Sequence, residues 1–389
     1  MRLGLDSPGA FIPCDPEAGV EAEVDWGTAT AIINDERTRL KFFCMRSKYS
    51  GKHFVRAYPC ERQQAFFDGH LHAFQFFGGI FPVLIYDNLT PAVRKILQGR
   101  NRIEQESFRK FRAYHSFKAR FTNPDAGHEK GGVEGLVGFA RRNYMVPVPE
   151  ATSLERFNAR LLTECQNYGS HTIKGREHSV EVLYEAEKEH LLSLPAAVFC
   201  NQQTLTAKVD KYATVVVDKN RYSTPTIYTG QEVSVLLGVD RVDIYLKSRK
   251  IGSHKRLYGN NKWQLEPDHY LDLLQQRPMA FHSARPMRQW RPSWPVSLHK
   301  FQERLCQSQG ETKGIKDFIQ VLMLYRDHDA EEVEAAVELA LENKLSSSQG
   351  VLHLLTYANE PERAVTSLKG WESLPPADTS PYGQLEGGQ

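Results

Sequence analysis

Three carboxylates far apart along the chain have the type and setting to hold metal ions: Asp25 in EVDWG, Asp87 in LIYDN and Glu134 in KGGVEGL. Asp25 lies inside a run of strand-forming residues, where a charge is costly unless it is paired or binds a cation. Asp87 ends the apolar run FPVLIY, and the C-terminal ends of strands are where α/β sheets place their ligands. Glu134 opens a helix just after Gly131 and Gly132. Oxygen ligands of this kind suit Mg²⁺ or Mn²⁺. Two such ions about 3.5–4 Å apart activate an attacking oxygen and stabilise a leaving one during an in-line phosphoryl displacement. Each residue also has an ordinary role open to it. Asp25 fits a surface position on an edge strand, Asp87 with Asn88 fits a helix cap, and Glu134 fits a first-turn glutamate favoured by the helix dipole. Glu129 is the nearest rival to Glu134 but precedes the Gly-Gly pair.

Convergence of the three depends on the elements beneath them. VEAEVDWGTATAII, RLKFFCM and KHFVRAY, separated by turn formers, predict an antiparallel meander of strands. ERQQAFFDGHLHAFQFFGG has helical spacing and a Gly-Gly stop. Its His70 and His72 read as helix-surface histidines rather than ligands, beside the apolar run Phe66, Phe67, Leu71 and Phe74. FPVLIYDN predicts a fourth strand, buried on both faces and parallel to the first. RIEQESFRKFRAYHS then predicts a helix, FKARF a strand, TNPDAGHEKGG a loop, and VEGLVGFARRNYM a helix with Val133, Val137, Ala140 and Tyr144 on one stripe. With the first and fourth strands adjacent, Asp25 and Asp87 meet and the last helix brings Glu134 beside them. The expected class is α/β, a mixed five-stranded sheet flanked by helices over 20–148, after an extended leading segment, 1–19.

A helical connector is expected over 149–203 and a small β-barrel over 204–260, where Val233, Val235 and Leu237, then Val242, Ile244 and Leu246, alternate. An Arg/Pro/Trp linker followed by two or three helices is expected over 261–357, and the tail 358–389 has little to bury. Trp290 and Trp294 fit base stacking, partner docking or a linker packed on the barrel.

With 389 residues there is room for two or three domains of about 100–200 residues. A composition of 41% hydrophobic and 25% charged residues is ordinary for a globular protein, and six scattered cysteines without a CxxC pair exclude a zinc-finger or disulfide scaffold. No apolar run approaches the roughly 20 residues that span a bilayer, and the N-terminus lacks the apolar core of a signal peptide. A cytoplasmic protein with no membrane partner is expected. The formal net charge is +2, so attraction to phosphate must come from local patches. Arg94, Lys95, Arg100, Arg102, Arg109, Lys110, Arg112, Lys118 and Arg120 outnumber Glu104 and Glu106 between two of the acidic blocks. Arg141 and Arg142 follow Glu134 on its helix, and Lys247, Arg249, Lys250, Lys255 and Arg256 surround a predicted barrel hairpin.

EVDWG, YDNLTPAV and KGGVEGLVGFARRN resemble the three catalytic blocks of IstA-type insertion-sequence transposases, members of the DDE transposase and retroviral integrase superfamily. The resemblance covers about residues 20–146, and the predicted barrel is similar to the small β-domain that follows the core in Mu-like transposases. It implies an RNase H-like core in which Asp25, Asp87 and Glu134 hold two Mg²⁺ or Mn²⁺ ions. The implied reaction frees 3′-hydroxyls at an element's ends and joins them to target DNA. Implied partners are transposon-end and target DNA, an IstB-type ATP-binding helper and further copies of the chain, placing the protein on the nucleoid when bound. The family also carries an N-terminal helix-turn-helix region, whereas this sequence starts almost at the core. A second expectation is therefore a non-catalytic remnant that binds DNA or partner subunits.

Overall fold

Strand β1 (Glu21–Ile33) turns through Asn34 and Asp35, both at positive φ, into β2 (Glu36–Ser47), paired antiparallel from Ile33↔Glu36 to Ala22↔Ser47. A two-residue turn with both centres left-handed matches the natural twist of a hairpin. β3 (His53–Tyr58) extends the meander. Helix α1 (Gln63–Phe77) then crosses the sheet and stops at Gly78, whose φ of 63° suits a left-handed cap. It rides close to the strands, since a Cβ on Gly69 would lie 2.6 Å from the Phe43 ring. The computed structural model describes residues 15–86, 93–96, 102–104, 106–121 and 133–358. It divides into two units, Met1–Gln264 and Leu265–Gln389.

After α1 the chain returns as β4 (Val83–Tyr86), parallel to β1 in the register Glu21↔Val83 to Val24↔Tyr86. Strands β5 (Val93–Ile96) and β6 (Arg102–Glu104) form a hairpin. Helix α2 (Glu106–His115), β7 (Lys118–Phe121) and α3 (Val133–Tyr144) follow. The sheet order is β3-β2-β1-β4-β7, the mixed order expected, with β7 parallel to β4, and a short sixth strand beside β1 adds one to the five expected. One expected boundary moves: RIEQ does not begin the second helix, because Arg102–Glu104 pair with β5 and α2 starts at Glu106. Arg, Glu and Gln are good helix formers in isolation, and the cross-strand partner overrides them.

That sixth strand is the short β8 (Glu150–Ala151), parallel to the far end of β1. Helices α4 (Leu154–Asn167) and α5 (Val180–Lys188) then fix the meander from outside. Asn158 of α4 bonds both backbone groups of Ala57, accepting from its N–H at 2.7 Å and donating to its carbonyl at 3.0 Å. The amide thus occupies part of the edge of β3, which would otherwise template pairing with another chain. Glu187 of α5, fully buried, accepts from the hydroxyls of Ser47 and Ser50 and from Gly19 N–H.

The first unit ends in two small sheets. β9 (Gln203–Lys208), β12 (Glu232–Leu237), β13 (Arg241–Leu246) and β14 (Arg249–Lys255) form one, in the order β14-β13-β12-β9. β10 (Thr214–Val217), β11 (Asn220–Ser223) and β15 (Trp263–Gln264) form the other. Val215, Val217, Val233, Val235, Leu237, Val242 and Ile244 fill the core that they share. Enclosure is as expected for a barrel, but the strands belong to two sheets. Asp218, in the β10–β11 turn, accepts from Arg62 ahead of α1 at 2.5 Å and from buried Arg256 at 2.6 Å, tying this domain to the α/β core.

The second unit is helical: α6 (Asp268–Gln276), α7 (Arg285–Trp290), α8 (Val296–Gln309), α9 (Glu311–Met323), α10 (Ala330–Glu342) and α11 (Ser348–Ala358). The Arg/Pro/Trp stretch is part of its core rather than a linker. Trp294 is buried, 5.4 Å from the Phe318 ring and 6.3 Å from Phe281, and Trp290 meets it edge-on at 5.5 Å. The two tryptophans therefore serve helix packing. The tail expected from 358 onward lies outside the described residues, Ala358 apart.

Candidate active site

Side chains alternate between the faces of a strand, and β1 shows which way Asp25 points. Ala22, Val24 and Trp26 pack into the aromatic layer under α1 and α2. The alternate set, with Ala29 and Ala31, faces the layer formed with α3 and α4. Asp25 belongs to this second set, opposite Cys44 of β2, whose side chain is buried in the same layer. The thiol is held well above its usual range, chiefly by burial and next by the negative charge of Asp25. The half-buried Asp25 carboxylate accepts the Trp26 N–H at 2.7 Å.

The neighbours in DWG have identifiable jobs. Trp26 packs edge-on against Phe43 at 5.6 Å and against Tyr58 at 5.7 Å. Gly27 lies opposite Phe42, and a Cβ there would come within 1.9 Å of the ring. Only glycine leaves Phe42 its place beside Asp25.

Helix α3 packs on the face to which Asp25 belongs, through Leu136 and Ala140 against Ala31, Phe42 and Cys44. Glu134 is the second residue of α3, and its side chain lies outside what is described. At the other end of the helix, the Tyr144 hydroxyl is 2.7 Å from Nε2 of buried His53. Burial, with Arg46 adding to it, lowers the pKa of His53 to about 3. Asp87 lies outside the described residues, and the register of β1 with β4 ends at Val24↔Tyr86, the pair preceding Asp25 and Asp87 in sequence. Three elements are thus brought together, while Asp25 is the one candidate carboxylate whose surroundings are described. Among the described residues no three His, Cys, Asp or Glu side chains form a metal-binding group. A hard oxygen donor at the rim of the α3 face is nonetheless the donor chemistry that Mg²⁺ or Mn²⁺ takes.

His70, expected on a helix surface, is instead fully buried. Its Nδ1 is 2.7 Å from the Phe66 carbonyl and its Nε2 2.9 Å from the Tyr86 hydroxyl. The phenylalanine rings around it lower its pKa to about 3 by desolvation. A signal was present in the sequence: His70 is four residues from both Phe66 and Phe74, on the buried stripe. His72 is partly exposed, 3.5 Å from Asp68.

The basic residues divide by environment. Arg109 and Lys110 are exposed on α2 and, with Arg112 and Phe117, line a cavity of about 710 Å³. Lys110 pairs with Glu106 at 2.7 Å. Lys118 and Arg120 are exposed on β7, Arg120 with Glu21 at 2.5 Å. Arg141 and Arg142 are exposed at the end of α3. Lys247, Arg249 and Lys250 are exposed at the β13–β14 turn, Lys250 reaching Asp243 at 3.3 Å. The side chains of Arg94 and Lys95, on β5, lie outside what is described. Arg256 leaves the expected surface cluster: it is buried and bonds the Gly238 carbonyl as well as Asp218.

An antiparallel meander continued by two parallel strands, with helices on both faces, is an RNase H-like arrangement. Residues 194–266 match the family described as Mu transposase, C-terminal domain. The transposase for insertion sequences IS1326/IS1353 of Pseudomonas aeruginosa is 31% identical over 397 aligned positions, covering 99% of this chain and 76% of that protein. A transposase of Aminobacter aminovorans is 30% identical over 363 positions, 91% of this chain and 69% of the relative. The transposase for insertion sequence element IS21 of Pseudomonas aeruginosa is 26% identical over 68% of this chain and 67% of its own length. Among solved structures, the HTLV-2 integrase catalytic core domain in complex with magnesium aligns at a TM-score of 0.29 and 12% identity, over 43% of this chain and 97% of that one. The chain belongs to the insertion-sequence transposase family. No helix among the described residues is long and apolar enough to cross a membrane.

Proposed function

We propose that this transposase cleaves DNA at the ends of its element and transfers the freed 3′-hydroxyls to target DNA, with Asp25, Asp87 and Glu134 as its catalytic carboxylates. The observation that carries the reading is a shared face. Asp25 belongs to the side of the sheet on which α3 packs, and β4 runs parallel beside β1 up to the residue before Asp87. Two Mg²⁺ or Mn²⁺ ions bound by these carboxylates would supply Lewis acidity to the attacking and leaving oxygens. The chain's own work is to hold the acidic side chains in place and to position DNA. Arg109, Lys110, Lys118, Arg141 and Arg142, exposed around the core, suit the phosphate backbone, as do Lys247, Arg249 and Lys250 on the barrel hairpin. Arg94, Lys95, Arg112 and Arg120 complete the proposed set, Arg120 after release from Glu21. Each phosphate neutralised should add about 0.9 to the negative slope of log affinity against log salt. Assembly of several copies on paired ends and an IstB-type ATP-binding helper belong to the same proposal.

The test is a strand-transfer assay with pre-cut element ends and Mn²⁺, comparing the chain with Asp87→Asn. Loss of a metal ligand is expected to cost several kcal/mol of transition-state stabilisation, a drop of about a thousandfold. Equal product from both proteins would overturn the catalytic assignment and favour a DNA-binding remnant.

A further inference from the structure

We propose that the outer face of the sheet β10-β11-β15 is a stacking platform for unpaired nucleotides. Tyr212 and Trp263 supply its aromatic surfaces, and Lys211, Lys219 and Lys262 its phosphate contacts. This rests on the reading of the chain as an enzyme that acts on DNA, and it names a form of nucleic acid that the other exposed basic residues do not select.

The two faces of this small sheet do different work. Val215, Val217 and Tyr222 belong to the core of the domain. Val216, Arg221 and Trp263 lie opposite one another across the three strands, and Val216 is 52% exposed. Since side chains alternate along a strand, that row belongs to the outer face. The Arg221 guanidinium lies over the Trp263 ring at 4.7 Å from its centroid and over Tyr212 at 5.8 Å. Tyr212 meets Trp263 edge-on at 5.9 Å and is itself 65% exposed. The core of the domain is filled without these rings, so burial does not account for an exposed tyrosine there.

Tyr212 is held in place by its own loop. The Asp210 carboxylate accepts from the Tyr212 N–H at 2.9 Å, from the Thr214 N–H at 3.0 Å and from the Arg221 guanidinium. Buried Ala213 takes a φ of 54°, a left-handed conformation that is costly for alanine. A ring fixed in advance loses little freedom when it binds. Lys211 adjoins Tyr212 and Lys262 adjoins Trp263, while the Lys219 carbonyl accepts the Asn261 N–H at 2.9 Å, which brings its turn beside β15. All three lysines are exposed. Among the described residues none of them has an ion-pair partner, and the neighbouring Asp210 is committed to Arg221.

Uncommitted cations flanking exposed rings suit a single strand, with lysines along the phosphates and rings against the bases. In a duplex each base is covered by its neighbours, so the rings would find no free face. Transfer of a 3′-hydroxyl also displaces a target strand at the phosphodiester attacked, which gives the proposed reaction loose ends for this face to hold.

The test is fluorescence anisotropy of the full chain with three labelled probes. These are an oligothymidylate of about 12 nucleotides, an abasic strand of the same length and a duplex. The parent should bind oligothymidylate about tenfold more tightly than the abasic strand, the worth of one base–aromatic stack. Tyr212→Ala should remove that preference and leave abasic and duplex binding unchanged, whereas Tyr212→Phe should keep it. Lys211→Gln should weaken all three probes and lower the salt slope for single strands by about 0.7. A parental preference in Tyr212→Ala overturns the platform, as does an equal loss on all three probes. If the parent binds duplex but does not distinguish bases from abasic sites, this inference fails alone. If it binds none of the probes, the DNA reading fails with it.

Discussion

The two faces of the central sheet are built from different materials. Under α1 and α2 lies a layer dominated by large rings, including Phe43, Phe66, Phe74, Phe77, Phe108 and Phe111, all almost fully buried. Under α3 and α4 the layer is made mostly of smaller or aliphatic side chains such as Ala31, Leu40, Val55, Ala57, Leu136 and Ala140. Asp25 and Gly27 belong to that second face. Aromatic side chains bury the most area per residue, so the ring-rich face is suited to anchoring. The other face keeps its side chains small where the helix that begins beside Glu134 must come close. With Asp25 as a proposed catalytic carboxylate, anchoring and the proposed chemistry fall on opposite sides of one set of strands.

The largest effect expected from this division is a double dissociation. Asp25→Asn should cut strand transfer about a thousandfold, the loss of several kcal/mol of metal-assisted stabilisation, while its urea midpoint stays near that of the parent. Phe111→Ala, on the ring-rich face, should lose about 3–5 kcal/mol of stability. Its residual folded fraction should keep the parental metal dependence. If Asp25→Asn unfolds the protein, or if Phe111→Ala shifts the metal midpoint, the faces are not separable in this way.

Smaller effects come from one buried histidine on each side, His70 under α1 and His53 against Tyr144 of α3. Both are lowered to about 3 by burial. His53 also faces Arg46, Phe139 and Tyr168, and His70 faces His115, which adds to its lowering. In the unfolded chain an imidazole titrates near 6.5. Between those values the unfolded chain binds a proton that the folded chain refuses, so this contribution is complete above about pH 6.5 and is lost as pH falls towards 3. At pH 5.5 each histidine should remove about 1.4 kcal/mol relative to pH 7.5. Urea unfolding at the two pH values measures it, and His53→Phe should reduce the difference by about 1.4 kcal/mol. An unchanged pH dependence in that variant would mean that the α3 face is wetter than its packing implies.

How much of this was legible in the sequence differs between the faces. Alternation and short apolar runs determine the strand order and the parallel β1–β4 pair, because register follows from which side chains must be buried. The ring-rich layer was visible as the helical spacing of Phe66, Phe67 and Phe74. His70 was misjudged because residue type was weighed above position on that stripe, and a polar side chain is tolerated wherever two partners wait for it. The hairpin β5–β6, the burial of Arg256 on Asp218 and the packing of Trp290 and Trp294 depend on partners remote in sequence or on tertiary closure, which local pattern does not carry. Of the candidate site, the strand under Asp25 and the helix starting at Val133 were readable from pattern. The fit of Gly27 under Phe42 was not, since it needs the register of β1 on β2.

That fit supplies the finest test of the contrast, between a glycine buried on β1 and an exposed one on α3. Gly27 faces the Phe42 ring at 1.9 Å from an added Cβ, and Phe42 is fully buried, so the ring cannot swing into solvent. Gly27→Ala should therefore cost about 1–3 kcal/mol through overpacking and reduce strand transfer by disturbing β1 next to Asp25. Gly135 of α3 is exposed, and an added Cβ meets nothing within 4 Å. Gly135→Ala should stabilise the protein by about 0.5–1 kcal/mol, because alanine loses less backbone entropy in a helix. Strand transfer should then stay close to the parental rate, since the backbone that carries Glu134 is unaltered. Opposite signs in thermal unfolding are the expected result. A stabilising Gly27→Ala would show that the layer has slack beside Asp25, and the crowding inferred there would have to be abandoned.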